Sequence, residues 1–122
     1  IMGLFPPSQH GAVRQSMSFN LRAVVAQKLL PSIIPGVSRV PTNEIMIVNP
    51  TIKKLIETGE DLKLADAITL FFQEGMVDFT ENLKRLVDNG HISKDVALEW
   101  APDPEKLKMA FKGIKVASAG II

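Results

Sequence analysis

At 122 residues, 46% of them apolar, the chain is long enough for one domain with a single core, and its composition is that of an ordinary globular protein. Fourteen Lys and Arg against thirteen Asp and Glu leave a net charge near +1 with the signs interspersed, so charge implies no nucleic-acid or anionic-membrane partner. The absence of cysteine excludes a disulfide framework, a thiolate zinc site and a cysteine nucleophile, and accords with a cytosolic setting.

No apolar run approaches the roughly 20 residues that a membrane-spanning helix needs. Both "EIMIVNP" and "AITLFF" are cut short by polar or helix-breaking residues. The opening "IMGLFPPSQH" lacks the basic region and small-residue cleavage site of a signal peptide. It also begins without an initiator Met, and the expectation is a piece of a longer gene product.

Ser8, after Pro6 and Pro7, is placed as an N-cap. The spacing of Val13, Met17, Leu21, Val24 and Leu29 predicts one helix from Ser8 to about Leu30 with a single buried stripe. Pro31 ends it, and "PSIIPGVS" reads as a loop. Next, "RVPTNEIMIV" closes on a continuous apolar run, Ile45 to Val48, which predicts a strand buried on both faces. A strand needs a neighbour for its backbone N–H and C=O groups, and no second one is evident. The sheet is therefore expected to belong to a part of the protein outside this chain.

Everything after the strand reads helical. In "NPTIKKLIETGE" Asn49 can cap, Pro50 takes the first helical position where a missing N–H costs nothing, and Gly59 supplies the left-handed stop. From Asp61 the residues Leu64, Ala65, Ile68, Leu70, Phe71 and Phe72 form a wide apolar face, ending near Gly75. Asp78 and Glu81 stand at capping-box spacing ahead of the stripe Phe79, Leu83, Leu86 and Val87, which Gly90 stops. "HISKDVALEWAP" has Ser93 as cap and Pro102 as terminator, and "DPEKLKMAFKG" has Asp103 as cap, Pro104 first and Gly113 last. The tail "IKVASAGII" carries no cap and is expected to be frayed or docked only in a larger assembly.

Catalysis would need a nucleophile with a base, a metal cluster or a phosphate cradle. His10 and His91 lie on separate turns without ligand-spaced neighbours, and read as exposed residues flanking helices. The glycines are isolated, and no phosphate-binding loop follows a strand. Glu57, Glu60 and Asp61 cluster at a helix junction, where capping and solvation explain them better than acid–base work. Lys106, Lys108, Lys112 and Lys115 read as a solvated face. No catalytic, cofactor-binding or metal residue is assigned.

The order of these signals is distinctive. "FPPSQHGAVRQSMSFNLRAVVAQKLLP", then "SRVPTNEIMIVNPTIKKLIETGE", then "EGMVDFTENLKRLVDNGHISKDVALEWAPDPEKLKMAFKG" resembles the C-terminal part of type IV pilus retraction ATPases, the twitching-motility PilT group, over nearly the whole chain. The match rests on the Phe-Pro lead-in, Arg14, Gln27 to Leu30, Glu44 and Ile45, a Gly-Met step, Gly-x-Ile-Ser and Ala-Pro-Asp-Pro-Glu.

The resemblance implies a fold mainly α with a single core strand: residues 1–48 would be the tail end of a RecA-like α/β ATPase core, 49–113 a C-terminal helical subdomain, and 114–122 a tail. It implies a cytoplasmic homo-hexamer, peripheral to the inner membrane, that acts on a pilus platform protein there and not on nucleic acid. ATP and magnesium are implied for the parent and none for this chain, because the family's nucleotide-binding boxes lie upstream of Ile1. The related assembly and secretion ATPases carry a four-cysteine module where this chain has "PSIIPGVSRV", which favours the retraction type.

In that family the place of "PTIKKLIETG" is held by a signature reading Ala-Ile-Arg-Asn-Leu-Ile-Arg-Glu, implied to serve retraction and not nucleotide binding. Ile52, Leu55 and Ile56 match it, Lys53 keeps a charge, and Thr51, Lys54, Glu57 and Thr58 depart. Lysine lacks the planar fork that guanidinium offers a carboxylate, so whether this surface makes the family's usual contact or an altered one stays open. Two readings of the helix stand side by side. Ile52, Leu55 and Ile56, at i, i+3 and i+4, are explained as the buried face of a short connector, while Lys53, Lys54 and Glu57 would point outward as a coupling surface. Rival readings of the whole chain are a helical protein- or nucleic-acid-binding module and a stand-alone adaptor.

Overall fold

The structure is a computed structural model, and residues 1–113 are described. After 3₁₀ turns at Met2–Leu4 and Pro7–Gln9, helix α1 spans His10–Asn20 and gives way to an antiparallel hairpin, β1 (Ala23–Pro31) and β2 (Arg39–Ile47). Helices α2 (Pro50–Thr58), α3 (Leu64–Leu70), α4 (Phe79–Asp88), α5 (Lys94–Trp100) and α6 (Pro104–Phe111) follow.

The expected helix from Ser8 to Leu30 is therefore two elements. Ser8 lies in the 3₁₀ turn and makes no cap bond, and the chain turns extended at Leu21, with φ −70° and ψ 132°. Val13, Met17 and Leu21 do form a partly buried stripe, but Val24 and Leu29 stand exposed on β1. A helical spacing of apolar residues ran on by chance into β-branched Val24 and Val25, and pairing with a distant strand decided the outcome.

That pairing also corrects the single core strand: the chain is mostly helical with a two-stranded antiparallel sheet. Ala23 faces Ile47 at one end of the ladder and Pro31 faces Arg39 at the other. β2 is longer than the apolar run suggested, because Pro41 sits inside it, opposite Leu29. Its expected burial on both faces is only partial: Met46 is buried, while Ile45 and Ile47 are half-buried. The Ile45 amide donates to the Val77 carbonyl at 2.8 Å, and the Val77 amide returns a bond to Ile45 at 3.2 Å. On β1 only Leu30 is buried.

The capped helices fall where their signals stand. Asn49 Oδ1 accepts from the Ile52 amide at 2.9 Å, Asp78 from Glu81 at 2.7 Å, Ser93 from Val96 at 3.2 Å and Asp103 from Lys106 at 3.1 Å. The capping box at Asp78 is only half made, since the Glu81 carboxylate turns to Arg85 instead. The helix expected from Asp61 to Gly75 is divided into a 3₁₀ turn (Asp61–Lys63), α3 and a second turn (Phe72–Glu74) that ends at left-handed Gly75. Of the six residues of its expected apolar face only Ile68 is buried, Leu64 and Phe71 partly so, and Ala65, Leu70 and Phe72 are exposed, while Ala67, outside that face as read, is buried. A two-turn helix presents too narrow a face to bury all six.

Two apolar clusters result. Met46, Ile52, Leu55, Ile56, Ala67, Ile68 and Met76 form the first, with Met17 and Leu21 of α1 against them. Leu30 and Val40, at the loop end of the hairpin, join Leu83, Ile92, Ala97 and Leu107 in the second. Buried Thr42 donates to Asn82 Oδ1 at 2.8 Å and the Asn43 amide to the same oxygen at 3.1 Å, which ties β2 to α4 between the clusters. The tail from 114 to 122, with Lys115, lies outside the described residues.

Candidate functional site

Helix α2 is anchored from below by Ile52, Leu55 and Ile56, each at most 5% exposed. Burial of three branched side chains stabilises the element by roughly 1.5–3 kcal/mol each relative to exposure. Thr51, at the first turn, is half-buried.

The upper face is shared with α1. Lys53 is half-buried, its ammonium 4.4 Å from the centre of the Phe19 ring. A cation over an aromatic face gains about 0.5–1 kcal/mol at such a site. Glu57 is exposed, yet its carboxylate accepts from buried Ser18 Oγ at 3.0 Å. Lys54 stands in solvent. Of the residues expected to point outward, Lys54 alone does so without a contact to α1; Lys53 and Glu57 lie beside a neighbouring helix that the sequence did not place there.

The end of α2 is closed by Gly59 in the left-handed region, φ +74°, whose amide reaches Ile56 O, while the Glu60 amide returns to Leu55 O at 3.0 Å. Arg14 of α1 lies across this end. Its Nη1 and Nη2 donate to the two Asp61 oxygens at 2.8 and 2.9 Å, and Nη1 also reaches the Ile56 carbonyl at 3.3 Å. The bonded guanidinium holds the Asp61 carboxyl below the ordinary carboxylate range, and the carboxylate raises Arg14 in turn. Glu60 is lowered too, first by the Lys63 ammonium at 2.8 Å and then by the Thr58 hydroxyl. Arg14 was visible in the sequence only as a family match, and nothing within 47 residues of it announces Asp61.

Elsewhere a cavity of about 220 Å³ lies between α3, α4 and α6, with Ile68, Phe72, Met76 and Ala110 on its apolar wall. The Asp78 carboxylate at its rim is fully engaged: it caps α4, accepts from Thr69 Oγ1, and pairs with Lys106 at 3.5 Å. The imidazole of His10 contacts the Phe5 carbonyl at 2.9 Å, and His10 and His91, expected to be exposed, are both half-buried. Among the described residues no group of three His, Cys, Asp or Glu could hold a metal, and no helix is long and apolar enough to cross a membrane.

Comparison with known proteins places these features in a family. The type IV pilus ATPase PilU of Pseudomonas aeruginosa is 32% identical over 112 residues, covering 92% of this chain and 29% of that protein. The type IV pilus retraction ATPase PilT of the same organism is 35% identical over 105 residues, covering 86% of this chain and 30% of the relative. A crystal structure of the pilus retraction motor PilT with bound ADP superposes with a TM-score of 0.71 at 33% identity, over 88% of this chain and 29% of that one. No protein-family model matches. The chain spans about 30% of the length of the curated relatives it matches.

Proposed function

Because this chain belongs, as a C-terminal segment, to the PilT-type type IV pilus ATPases, we propose that it is the effector end of a hexameric ATP-driven motor that retracts pili. Within such a motor, residues 1–48 complete a RecA-like core and residues 49–113 form the helical subdomain. ATP and magnesium bind upstream in the parent, which works in the cytoplasm against a platform protein at the inner membrane. The open state of β1 supports this reading. Val25 is 63% and Leu29 54% exposed on a strand that pairs only with β2 among the described residues. Unpaired edges with apolar faces associate, and the remainder of the parent's sheet is the natural cover.

The observation that carries the proposal is α2 itself. Its apolar residues agree with the signature that the resemblance implies and are buried, while Lys54 faces solvent. Such an element transmits force and does not perform chemistry. In the full-length parent, Lys53→Ala with Lys54→Ala is expected to leave hexamers and ATP turnover intact while twitching is lost. Intact hexamers that lose ATP turnover, or twitching that persists, would contradict it.

A further inference from the structure

Three residues of α1 touch α2 or its end at successive points. Phe19 lies under Lys53, Ser18 donates to Glu57, and Arg14 closes the C-terminus. Arg14 and Ser18 are four apart, on one face of α1, so a single stripe of that helix holds α2 along its length.

Arg14 differs from the other two in what it satisfies. The last carbonyls of a helix have no partner within it, and a cation there is favoured by the helix dipole. Nη1 serves the Ile56 carbonyl and Asp61 Oδ1 together, and Nη2 takes Asp61 Oδ2. The guanidinium also lies against the left-handed residue, since a Cβ at Gly59 would sit 3.6 Å from Arg14 Cζ and Nε. One planar group thus joins three things: α1, the last turn of α2 and the turn that leads into α3. A two-pronged pair of this kind fixes direction as well as distance, which an ammonium on a flexible stem cannot do.

We propose that Arg14 is a positioning residue which sets the pitch of α2 against α1, so that a displacement of α1 is delivered to the exposed face of α2 as motion of a rigid pair. This rests on the reading of α2 as the effector element. Residues Pro6 and Pro7 stiffen the approach to α1, and the Arg14 junction is where a movement arriving there passes to α2. Without the fork the two helices still pack through Met17, Leu21, Leu55 and Ile56, but the end of α2 is free to fray.

The test uses full-length hexamers carrying Arg14→Lys, which keeps the charge, with Lys53→Ala/Lys54→Ala as a separate control. Three quantities are read: ATP turnover, pilus retraction per ATP hydrolysed, and hydrogen exchange of the segment 55–61. Arg14→Lys is expected to keep turnover, to speed exchange at Gly59 and Glu60 by about tenfold, and to lower retraction per ATP several-fold. Faster exchange with unchanged retraction per ATP overturns the positioning role, and so does wild-type exchange. A matching fall in ATP turnover overturns it as well, by placing Arg14 in the nucleotide cycle. If the control variant retracts normally, the effector reading of α2 fails by itself, whereas the exchange result still decides whether Arg14 holds the helix end.

Discussion

The two halves of the molecule are held together by different means. Around α4, α5 and α6 each helix carries its own start signal, an Asp or Ser bonded to an amide three residues on, and the helices meet chiefly through Leu83, Ile92, Ala97 and Leu107, with the Asp78–Lys106 pair and the Thr42–Asn82 bond beside them. Around α1 and α2 the apolar cluster is supplemented by polar contacts between residues far apart in the chain: Arg14 with Asp61, Ser18 with Glu57, Lys53 over Phe19. A locally specified, apolar unit is suited to being a stable body. A pair of helices whose mutual angle is fixed by directional polar contacts moves as one piece, as an element that transmits motion requires.

The largest expected effect breaks the stable body. Leu107 has no exposed surface and sits among α4 and α5, so Leu107→Ala should destabilise by about 2–5 kcal/mol in denaturant unfolding. An Arg14→Ala variant compared by the same measurement should lose far less, because its partner Asp61 is half exposed and such pairs contribute about 0–1 kcal/mol. Equal losses would erase the contrast.

Removing a cap sharpens it next. Ser93→Ala deletes the bond to the Val96 amide and should cost about 0.5–2 kcal/mol, read in the same unfolding curve. The effect should stay local to α5 in hydrogen exchange, without reaching α2. At Gly59, φ +74° is a region that a Cβ disfavours, and Gly59→Ala should cost about 1 kcal/mol in the same unfolding measurement, through the backbone alone, since the added Cβ would rest at contact distance from Arg14.

The smallest effect is one of pH. Asp61 titrates below its ordinary range because of Arg14, so its contribution is fully present above the unfolded value near 4 and is lost as pH falls through the folded one. Wild type should therefore lose slightly more stability between about pH 5 and pH 3 than Asp61→Asn, by less than about 1 kcal/mol. Identical pH profiles would show that the pair adds nothing.

The same contrast governs what the sequence revealed. Caps at Asn49, Asp78, Ser93 and Asp103 are settled within four residues, and every one of those helices stands where it was read. β1 was read as helix because Val13, Met17, Leu21 and Val24 keep a helical spacing through Asn20 and Arg22, with neither Gly nor Pro to mark the break. Only the ladder to β2 decides it, and Pro41 hid the length of that strand. At the candidate site the buried anchor Ile52, Leu55 and Ile56 was legible from periodicity. Its polar setting was not: Ser18 and Glu57 are 39 residues apart and Arg14 and Asp61 are 47, and no local rule couples such positions.

The central claim is that the solvent face of α2 delivers force and takes no part in ATP hydrolysis. Lys54 is its most direct probe, and Lys54→Glu reverses the charge without touching the buried anchor. Under the proposed function, retraction speed and ATP turnover measured on the same full-length parent are predicted to separate, with turnover within about twofold of wild type and retraction lost. A proportional fall in both, or undiminished retraction, would contradict the account.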